Sequence, residues 1–189
     1  MSCLLSKSLK RLRRGRGRDA RRAPEKKQRA YYSGKKKRHT LKSQVVIDGR
    51  TRQILCTHHG RGPVHDFALY QRSKLEPHES LEVLADSGYQ GLQKLHGKSR
   101  TPRKKPRKSE LTDEQKQSNR ELARRRVVVE HVIRSLKIFR ILAERYRNRR
   151  KRFSLRFNLI AGLYNYELNL ANYFRKRSSV LLFQRWRWI

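Results

Sequence analysis

Cysteine is scarce in this chain, and long apolar runs are absent from it. Its two cysteines, Cys3 and Cys56, lie far apart and form no Cys-x-x-Cys pair. This excludes a disulfide framework and the usual zinc spacings, and it fits a reducing cytoplasm. No apolar run approaches the roughly 18 residues that cross a bilayer, and the apolar part of residues 3–5 is too brief for a secretory signal. We therefore expect a cytoplasmic protein without a membrane segment.

Acidic residues are also few. The chain has 50 lysines and arginines against 15 aspartates and glutamates, so its formal net charge is +35 at pH 7. A compact chain with this charge repels itself unless a polyanion is nearby, which makes a nucleic acid the natural partner. An anionic membrane surface is the second candidate, but it requires an amphipathic basic helix or a long apolar span.

The 189 residues are enough for one domain with a core, and the hydrophobic 35% is concentrated in the second half. Residues 1–28 are densely basic, contain interleaved glycines and lack periodicity, which predicts a disordered basic arm. Residues 29–173 would form the domain. Residues 174–189, which mix arginine with two tryptophans, would form an irregular tail.

Strand and turn signals come first in the domain. A β-rich run over residues 41–47 precedes Asp48-Gly49, a strong hairpin signal, and residues 53–57 supply the returning strand. Asp48 is therefore expected to be a turn residue. Residues 58–63 indicate a loop, and a short helix follows near residues 65–74. A metal cluster can be imagined here, but its spacing matches no zinc pattern; its members would be Cys56, His58, His59 and His65.

Helical patterns dominate the second half. Thr112 with Gln115 three residues later resembles a capping box, and an apolar stripe at three- and four-residue steps predicts a helix over residues 112–146. A second helix over residues 153–173 is apolar on most sides, so we expect it to be largely buried. Residues 101–108 lie between the hairpin and these two helices, and they are expected to form a cationic loop that prolines interrupt.

A carboxylate follows the short apolar run of residues 81–85. Val83, Leu84 and Ala85 suit a buried strand, and Ser87-Gly88 is turn chemistry that ends it. Asp86 is thus predicted at the carboxyl end of a strand, where side chains can face a ligand. The alternative is that Asp86 only caps the turn.

A second carboxylate, Glu130, lies among arginines. It is one helical turn from both Arg126 and Arg134, which would give ordinary ion pairs worth a few tenths of a kcal/mol each. A carboxylate surrounded by arginines also suits a metal site that serves a phosphate backbone, because the carboxylate holds a hard cation and the arginines hold the strand.

Several motifs in this order resemble the catalytic portion of bacterial insertion-sequence transposases of the DDE type, whose core is ribonuclease H-like. The resemblance covers residues 31–168, about three quarters of the 189 residues. It rests on Tyr32-Ser33-Gly34-Lys35-Lys36-Lys37-Arg38-His39-Thr40, His65-Asp66, Asp86-Ser87-Gly88-Tyr89-Gln90-Gly91, Arg126-Val127-Val128-Val129-Glu130-His131 and Tyr146-Arg147-Asn148-Arg149-Arg150-Lys151-Arg152-Phe153.

The resemblance implies phosphoryl transfer by two magnesium ions, held by two aspartates and a glutamate. Asp86 would be the second aspartate and Glu130 the glutamate, and both would be catalytic and metal-binding. The family's spacing puts the first aspartate at Gly15, and Asp19 is about four residues late. We infer that the N-terminal stretch is not family sequence, as a reading-frame slip or a start inside a damaged gene would produce. Mg²⁺ or Mn²⁺ would then bind weakly.

The expected fold is α/β: a ribonuclease H-like mixed sheet flanked by helices, incomplete at its N-terminal strand. The expected function is a transposase fragment that binds DNA, both transposon ends and target, with impaired cleavage. A homodimer is compatible with this, a small-molecule substrate is not expected, and the nucleoid is the expected location. The alternative is a non-catalytic ribosome- or nucleoid-associated protein, for which the charge suffices. Cations expected to hold DNA are Lys35, Lys36, Lys37, Arg38, Arg103, Lys104, Lys105, Arg126, Arg134, Arg149 and Arg150.

Overall fold

The computed structural model describes residues 2–11, 30–34, 37–106, 110–146 and 150–185. The strands are β1 Ser2–Arg11, β2 Tyr32–Ser33, β3 Arg38–Asp48, β4 Ile54–Arg61, β5 Glu82–Leu84 and β6 Ser99–Arg100. The α-helices are α1 Asp66–Ser73, α2 Leu92–Leu95, α3 Asp113–Leu136, α4 Arg140–Ala143 and α5 Phe153–Arg185, and Ser87–Tyr89 and Arg150–Arg152 are 3₁₀ turns.

The strands form one mixed sheet. Its main order is β4-β3-β1-β5-β6, and β2 pairs only with the beginning of β3. β3 is antiparallel to both β1 and β4, whereas β5 is parallel to β1 and β6. The predicted α/β class, a mixed sheet flanked by helices, is confirmed.

The first strand differs from its prediction. The sequence predicts a disordered arm over residues 1–28 and an empty position in the sheet, yet Ser2–Arg11 forms β1 and fills the centre, between β3 and β5. The physical reason lies in β3, which is buried from Thr40 to Asp48 and would leave backbone N–H and C=O groups unpaired without a neighbour. Backbone hydrogen bonds do not depend on side-chain charge, so the charges that predicted a disordered arm do not prevent strand pairing. The rest of the predicted arm, residues 12–28, lies outside the described residues.

Apolar side chains pack on both faces of the sheet. Leu4 and Leu84 belong to a cluster on the face that α3 and α5 cover, together with Val129 and Phe157. Cys3, Val83 and Ala85, which alternate with them along β1 and β5, pack on the other face. This alternation determines the face of the sheet on which each strand residue lies.

The hairpin is confirmed, with adjusted bounds. Asp48 is a turn residue as predicted, because its carboxylate accepts hydrogen bonds from the Arg50 backbone N–H at 2.9 Å and the Thr51 hydroxyl at 2.8 Å. Strand β4 continues through His58 and His59 to Arg61, so the loop predicted over residues 58–63 is wrong for its first part. Pairing with β3, from Leu41 to Ile47, extends the strand beyond its local signal.

The long helices also depart from their predictions. The Thr112 cap is confirmed, since its hydroxyl accepts from the Gln115 N–H at 3.3 Å, but α3 ends at Leu136 instead of residue 146. Helix α5 continues to Arg185, where an irregular tail was expected; residues 186–189 lie outside the described part. In the described part of the chain, no helix is long and apolar enough to span a membrane.

Helix α5 covers the edge of β4 through asparagine side chains. The Asn165 amide accepts from the Ile54 N–H and donates to the Ile54 carbonyl, both at 2.8 Å, as a neighbouring strand would. Asn158 accepts from the Thr57 hydroxyl, and Asn169 accepts from Gln53 at 2.6 Å. An uncovered edge strand would present unpaired backbone groups, so these contacts both close the sheet and orient α5.

Replacing Asn165 by alanine tests this edge contact. Asn165→Ala removes the partners of two backbone groups at Ile54, so we expect unfolding free energy to fall by about 1–3 kcal/mol in a urea titration. The matched control is Asn169→Ala, whose exposed bond to Gln53 should contribute less than about 0.5 kcal/mol. Equal effects of the two substitutions would contradict an edge-closing role for Asn165.

His59 adds an acid-sensitive element to the core. Its ring lies against Phe153 and Phe157, with centroids 5.3 Å and 4.9 Å away, and burial lowers its pKa to about 4 against a weaker opposing hydrogen bond to Asn158. The folded chain therefore prefers the neutral imidazole. The unfolded chain takes up the proton first as pH falls.

Stability should therefore decrease as pH falls from 6.5 to about 4, the interval between the two pKa values. We expect this histidine to account for a loss of about 3 kcal/mol at most, measured by denaturant titration at each pH. In His59→Asn the slope over this interval should become clearly shallower, with a remainder from His58, whose pKa burial also lowers, although overall stability falls. The exposed His78→Asn is the control and should keep the wild-type slope. A His59→Asn chain with an unchanged slope would rule out this assignment.

Candidate active site

Asp86 lies just beyond the end of β5, as the sequence predicts. Its backbone is extended, and its carboxylate caps the following 3₁₀ turn by accepting the Ser87 N–H at 2.6 Å. The capping alternative is thus realised. Capping still leaves the Asp86 carboxylate able to bind a ligand. Its side chain remains 30% exposed, and a carboxylate has about four acceptor sites.

Two successive arginines of α3 attach this helix to β5. The Arg126 guanidinium lies 3.4 Å from the Asp86 carboxylate, and Arg125 contacts both oxygens of Glu82 in a fork. The hydrogen bond from Arg125 lowers the pKa of Glu82. Because Glu82 is the first residue of β5 and Asp86 lies two residues beyond its end, the pairs fix the position of α3 along the strand.

Tyr89 lies beneath the same carboxylate. Its side chain is fully buried, and burial together with the negative charges of Asp66 and Asp86 raises its pKa well above the usual range, against the opposing charge of Arg126. The phenol therefore stays neutral. Asp66 itself forms a buried ion pair with Lys42 of β3 at 2.7 Å, which assigns it a structural role.

Glu130 lies on α3 one turn after Arg126 and is exposed. The sequence leaves open whether it forms ion pairs with Arg126 and Arg134. All three residues are described, and among the described residues the salt bridge of Arg126 is to Asp86, while Glu130 has no salt bridge to either arginine. The ion-pair alternative is therefore not realised. Arg126 contacts one of the two predicted site carboxylates and lies one helical turn from the other in the same helix.

A cationic loop is tethered to the same segment. Gln90, four residues after Asp86, donates to the Pro102 carbonyl at 3.1 Å. Asn119 of α3 brackets Arg103, accepting from its N–H at 2.9 Å and donating to its carbonyl at 3.0 Å. Arg103, Lys104 and Lys105 are exposed, and Lys105 pairs with Glu110 at 3.0 Å. The loop thus presents its cations beside the turn that carries Asp86.

A second group of cations meets at Tyr31. The Arg150 guanidinium lies over this ring at 4.5 Å and Arg61 at 5.7 Å, and the Tyr31 carbonyl accepts the Thr40 N–H at 2.8 Å. The predicted DNA-binding Lys37, Arg38 and Arg134 are exposed. The predictions for Lys35, Lys36 and Arg149 lie outside the described residues.

The donor set does not fit a two-ion centre. Among residues 2–11, 30–34, 37–106, 110–146 and 150–185, no group of three or more His, Cys, Asp or Glu side chains could hold a metal ion. The histidines near Cys56 have other roles: His59 packs against phenyl rings, and His65 caps α1. Mg²⁺ requires near-octahedral oxygen coordination, which the carboxylates of Asp86 and Glu130 alone supply poorly.

Three positioning residues were not found from the sequence. Gln90, Asn119 and Tyr31 tether the cationic segments, but polar and aromatic residues at such positions carry no local signal for a partner distant in sequence. Asn119, for example, contacts Arg103 across 16 positions. The one available hint is that Gln90 and Tyr31 lie within or beside the motifs that carry the resemblance.

Comparison with known proteins gives a family match over most of the chain. Residues 20–165 match the family of DDE superfamily endonucleases. The chain is 56% identical over 147 residues to the probable transposase for insertion sequence element IS702 of Microchaete diplosiphon, a match that covers 78% of this chain and 53% of that protein. The chain therefore spans about half the length of this curated relative. No solved structure matches.

Proposed function

This chain belongs to the DDE superfamily of endonucleases, and from that premise we propose that it derives from an insertion-sequence transposase, binds DNA, and cleaves it little or not at all. The observation that carries the proposal is the contact of Arg126 with Asp86, one helical turn from Glu130. It supports the proposal because it joins the helix that carries Glu130 to the segment that carries Asp86, in the order that the resemblance implies.

Asp86 and Glu130 are proposed as the surviving catalytic and metal-binding carboxylates. Enzymes of this superfamily generally use divalent metal ions, and such ions stabilise charge on the attacking and leaving oxygens of a phosphodiester. In this chain, two carboxylates would hold Mg²⁺ or Mn²⁺ weakly. The exposed side of Asp86 is available to a ligand, while Ser87 and Arg126 hold the carboxylate in place.

The missing carboxylate belongs at a specific backbone position. β1 runs parallel to β5 with Leu4 beside Leu84, and from this register we infer that Ser6, two residues after Leu4, occupies the backbone position of the missing acid. The residue at this position of β1 is a serine and not an acid. The family match begins at residue 20, so β1 lies outside it.

DNA is the proposed partner, as transposon ends and target, with nucleoid association in the cell. The tethered loop beside Asp86 and the cations around Tyr31 supply phosphate contacts on described surfaces. Such contacts give affinity that is independent of sequence and falls with salt. The alternative, a non-catalytic basic protein of ribosome or nucleoid, shares this property, so only the carboxylates distinguish the two.

Restoring the acid tests the catalytic part of the proposal. With Mg²⁺ or Mn²⁺ and DNA that carries the element's terminal repeats, wild-type protein should nick slowly or not at all. Ser6→Asp should raise the nicking rate at least about tenfold and tighten Mn²⁺ binding in a titration, because it adds a charged ligand beside Asp86. Adding Asp86→Asn or Glu130→Gln should abolish both gains.

The matched control is Ser8→Asp, which adds the same charge to β1 two residues farther along. It should restore neither nicking nor Mn²⁺ binding, and thermal melting should show that each variant is folded. If Ser6→Asp and Ser8→Asp behave alike, the register argument fails. Fast wild-type nicking that Asp86→Ala abolishes would mean that another residue, with Asp19 the first candidate, completes the site.

Neutralising the tethered loop tests the DNA surface. Arg103→Gln with Lys104→Gln should lower the slope of log K against log salt by about 2, since each lost phosphate contact lowers it by about one. Fluorescence anisotropy of a labelled duplex across a salt series measures this slope. The control, Lys94→Gln with Lys98→Gln, removes the same charge near the other end of β5 and should change the slope less. Equal slopes for the two variants would indicate that DNA does not bind at this loop.

A further inference from the structure

Helix α5 has an exposed apolar face that nothing in the function described above uses. The sequence predicts that this helix is largely buried, and that prediction is wrong. Phe153, Phe157, Ile160 and Ala161 enter the core, but seven large side chains elsewhere on the helix are 38–69% exposed. They are Leu155, Leu159, Leu163, Tyr166, Leu170, Tyr173 and Phe174.

This face cannot turn inward to be covered by the rest of the fold. Asn158, Asn165 and Asn169 hold a different side of the helix against β4 and its turn. The phenylalanines that enter the core fix the helix from a further side. Within the part of the chain that the structure describes, these side chains therefore stay exposed for as long as the sheet edge is closed.

The spacing of the exposed residues suits another helix. Leu159, Leu163, Tyr166, Leu170 and Tyr173 follow one another at steps of four, three, four and three. This is the alternation of a and d positions in a heptad repeat, which keeps one seam facing a partner helix along its whole length. An identical helix supplies the same spacing, so the seam is complementary to itself.

Charge also favours an identical partner over a polyanion. Residues 157–174 contain no lysine or arginine and a single acid, Glu167, although lysine and arginine make up 50 of the 189 residues. Two chains of charge +35 repel each other, and the cation-free stretch is where they can approach at least cost. Depletion of charged residues is a mark of interface cores.

The exposed apolar area of α5 is close to the area that one partner buries in a stable protein interface. Seven side chains that each expose roughly 100 Å² provide roughly 700 Å², on the scale of aromatic side-chain areas. A stable interface buries about 800 Å² on each partner. An apolar patch of this extent exceeds what monomeric soluble proteins usually expose.

We propose that the exposed apolar face of α5, from Leu155 to Phe174, is a docking surface for the same face of a second copy of this chain. The two helices pack side by side along the a and d seam. The association is apolar, so it strengthens when salt screens the repulsion between the two cationic chains. The inference does not depend on catalytic activity or on DNA binding.

The test is sedimentation equilibrium on the full chain after nuclease treatment, at 0.2 M and 1 M NaCl. The wild-type chain should form dimers with a dissociation constant in the micromolar range, tighter at 1 M NaCl. Leu159→Asn with Leu163→Asn should weaken dimerisation at least about 100-fold, because four seam leucines are lost per dimer. Association through residual nucleic acid would instead weaken at 1 M NaCl.

The control variant is Leu95→Asn with Ile138→Asn, which changes two residues of the same type that are 57% and 79% exposed but lie off α5. It should dimerise like wild type, and all variants should melt within a few degrees of each other. The proposal is overturned if wild-type chain is monomeric up to about 100 μM, a concentration at which micromolar dimers are filled. It is also overturned if the two double variants associate equally, or if the face instead drives flotation with anionic vesicles.

Discussion

The pairing of β1 with β5 is the constraint on which the candidate site depends. β5 has only three residues, too few to hold a position alone, and it is parallel to β1 over Ser2–Leu4 and to β6 over Ser99–Arg100. Arg125 then binds Glu82, the first residue of β5, and Arg126 binds Asp86, two residues beyond its end. Asp86 is therefore located by backbone pairing first and by charge second.

Three of the few acids join elements of the fold. In a chain of charge +35, Glu82, Asp66 and Asp86 each contact a cation from another element, and these contacts join β3, β5, α1 and α3. Partly buried pairs are screened less by salt than exposed ones. The same chain can thus be held together by local attraction while its outer loops repel one another and attract phosphate.

Local signals predict much of this structure, and long-range contacts explain the rest. The Asp48 turn, the Thr112 cap and the strand end at Asp86 follow from neighbouring residues, so the sequence indicates them directly. β1 does not, because its lysines suggest a solvated arm while its role is set by the unpaired edge of β3. Nor does the exposed face of α5: apolar periodicity shows that a surface avoids water, but not whether the core or a second chain covers it.

A sheet and a catalytic site place different demands on the same strand. A sheet needs backbone groups in register and apolar residues on the core faces, and Cys3 and Leu4 meet that demand in β1. Phosphoryl transfer at the proposed site would need a particular acid at one position, and under the proposal above that position is Ser6. Because backbone hydrogen bonds do not depend on side-chain identity, a segment outside the family match can complete the fold without completing the chemistry.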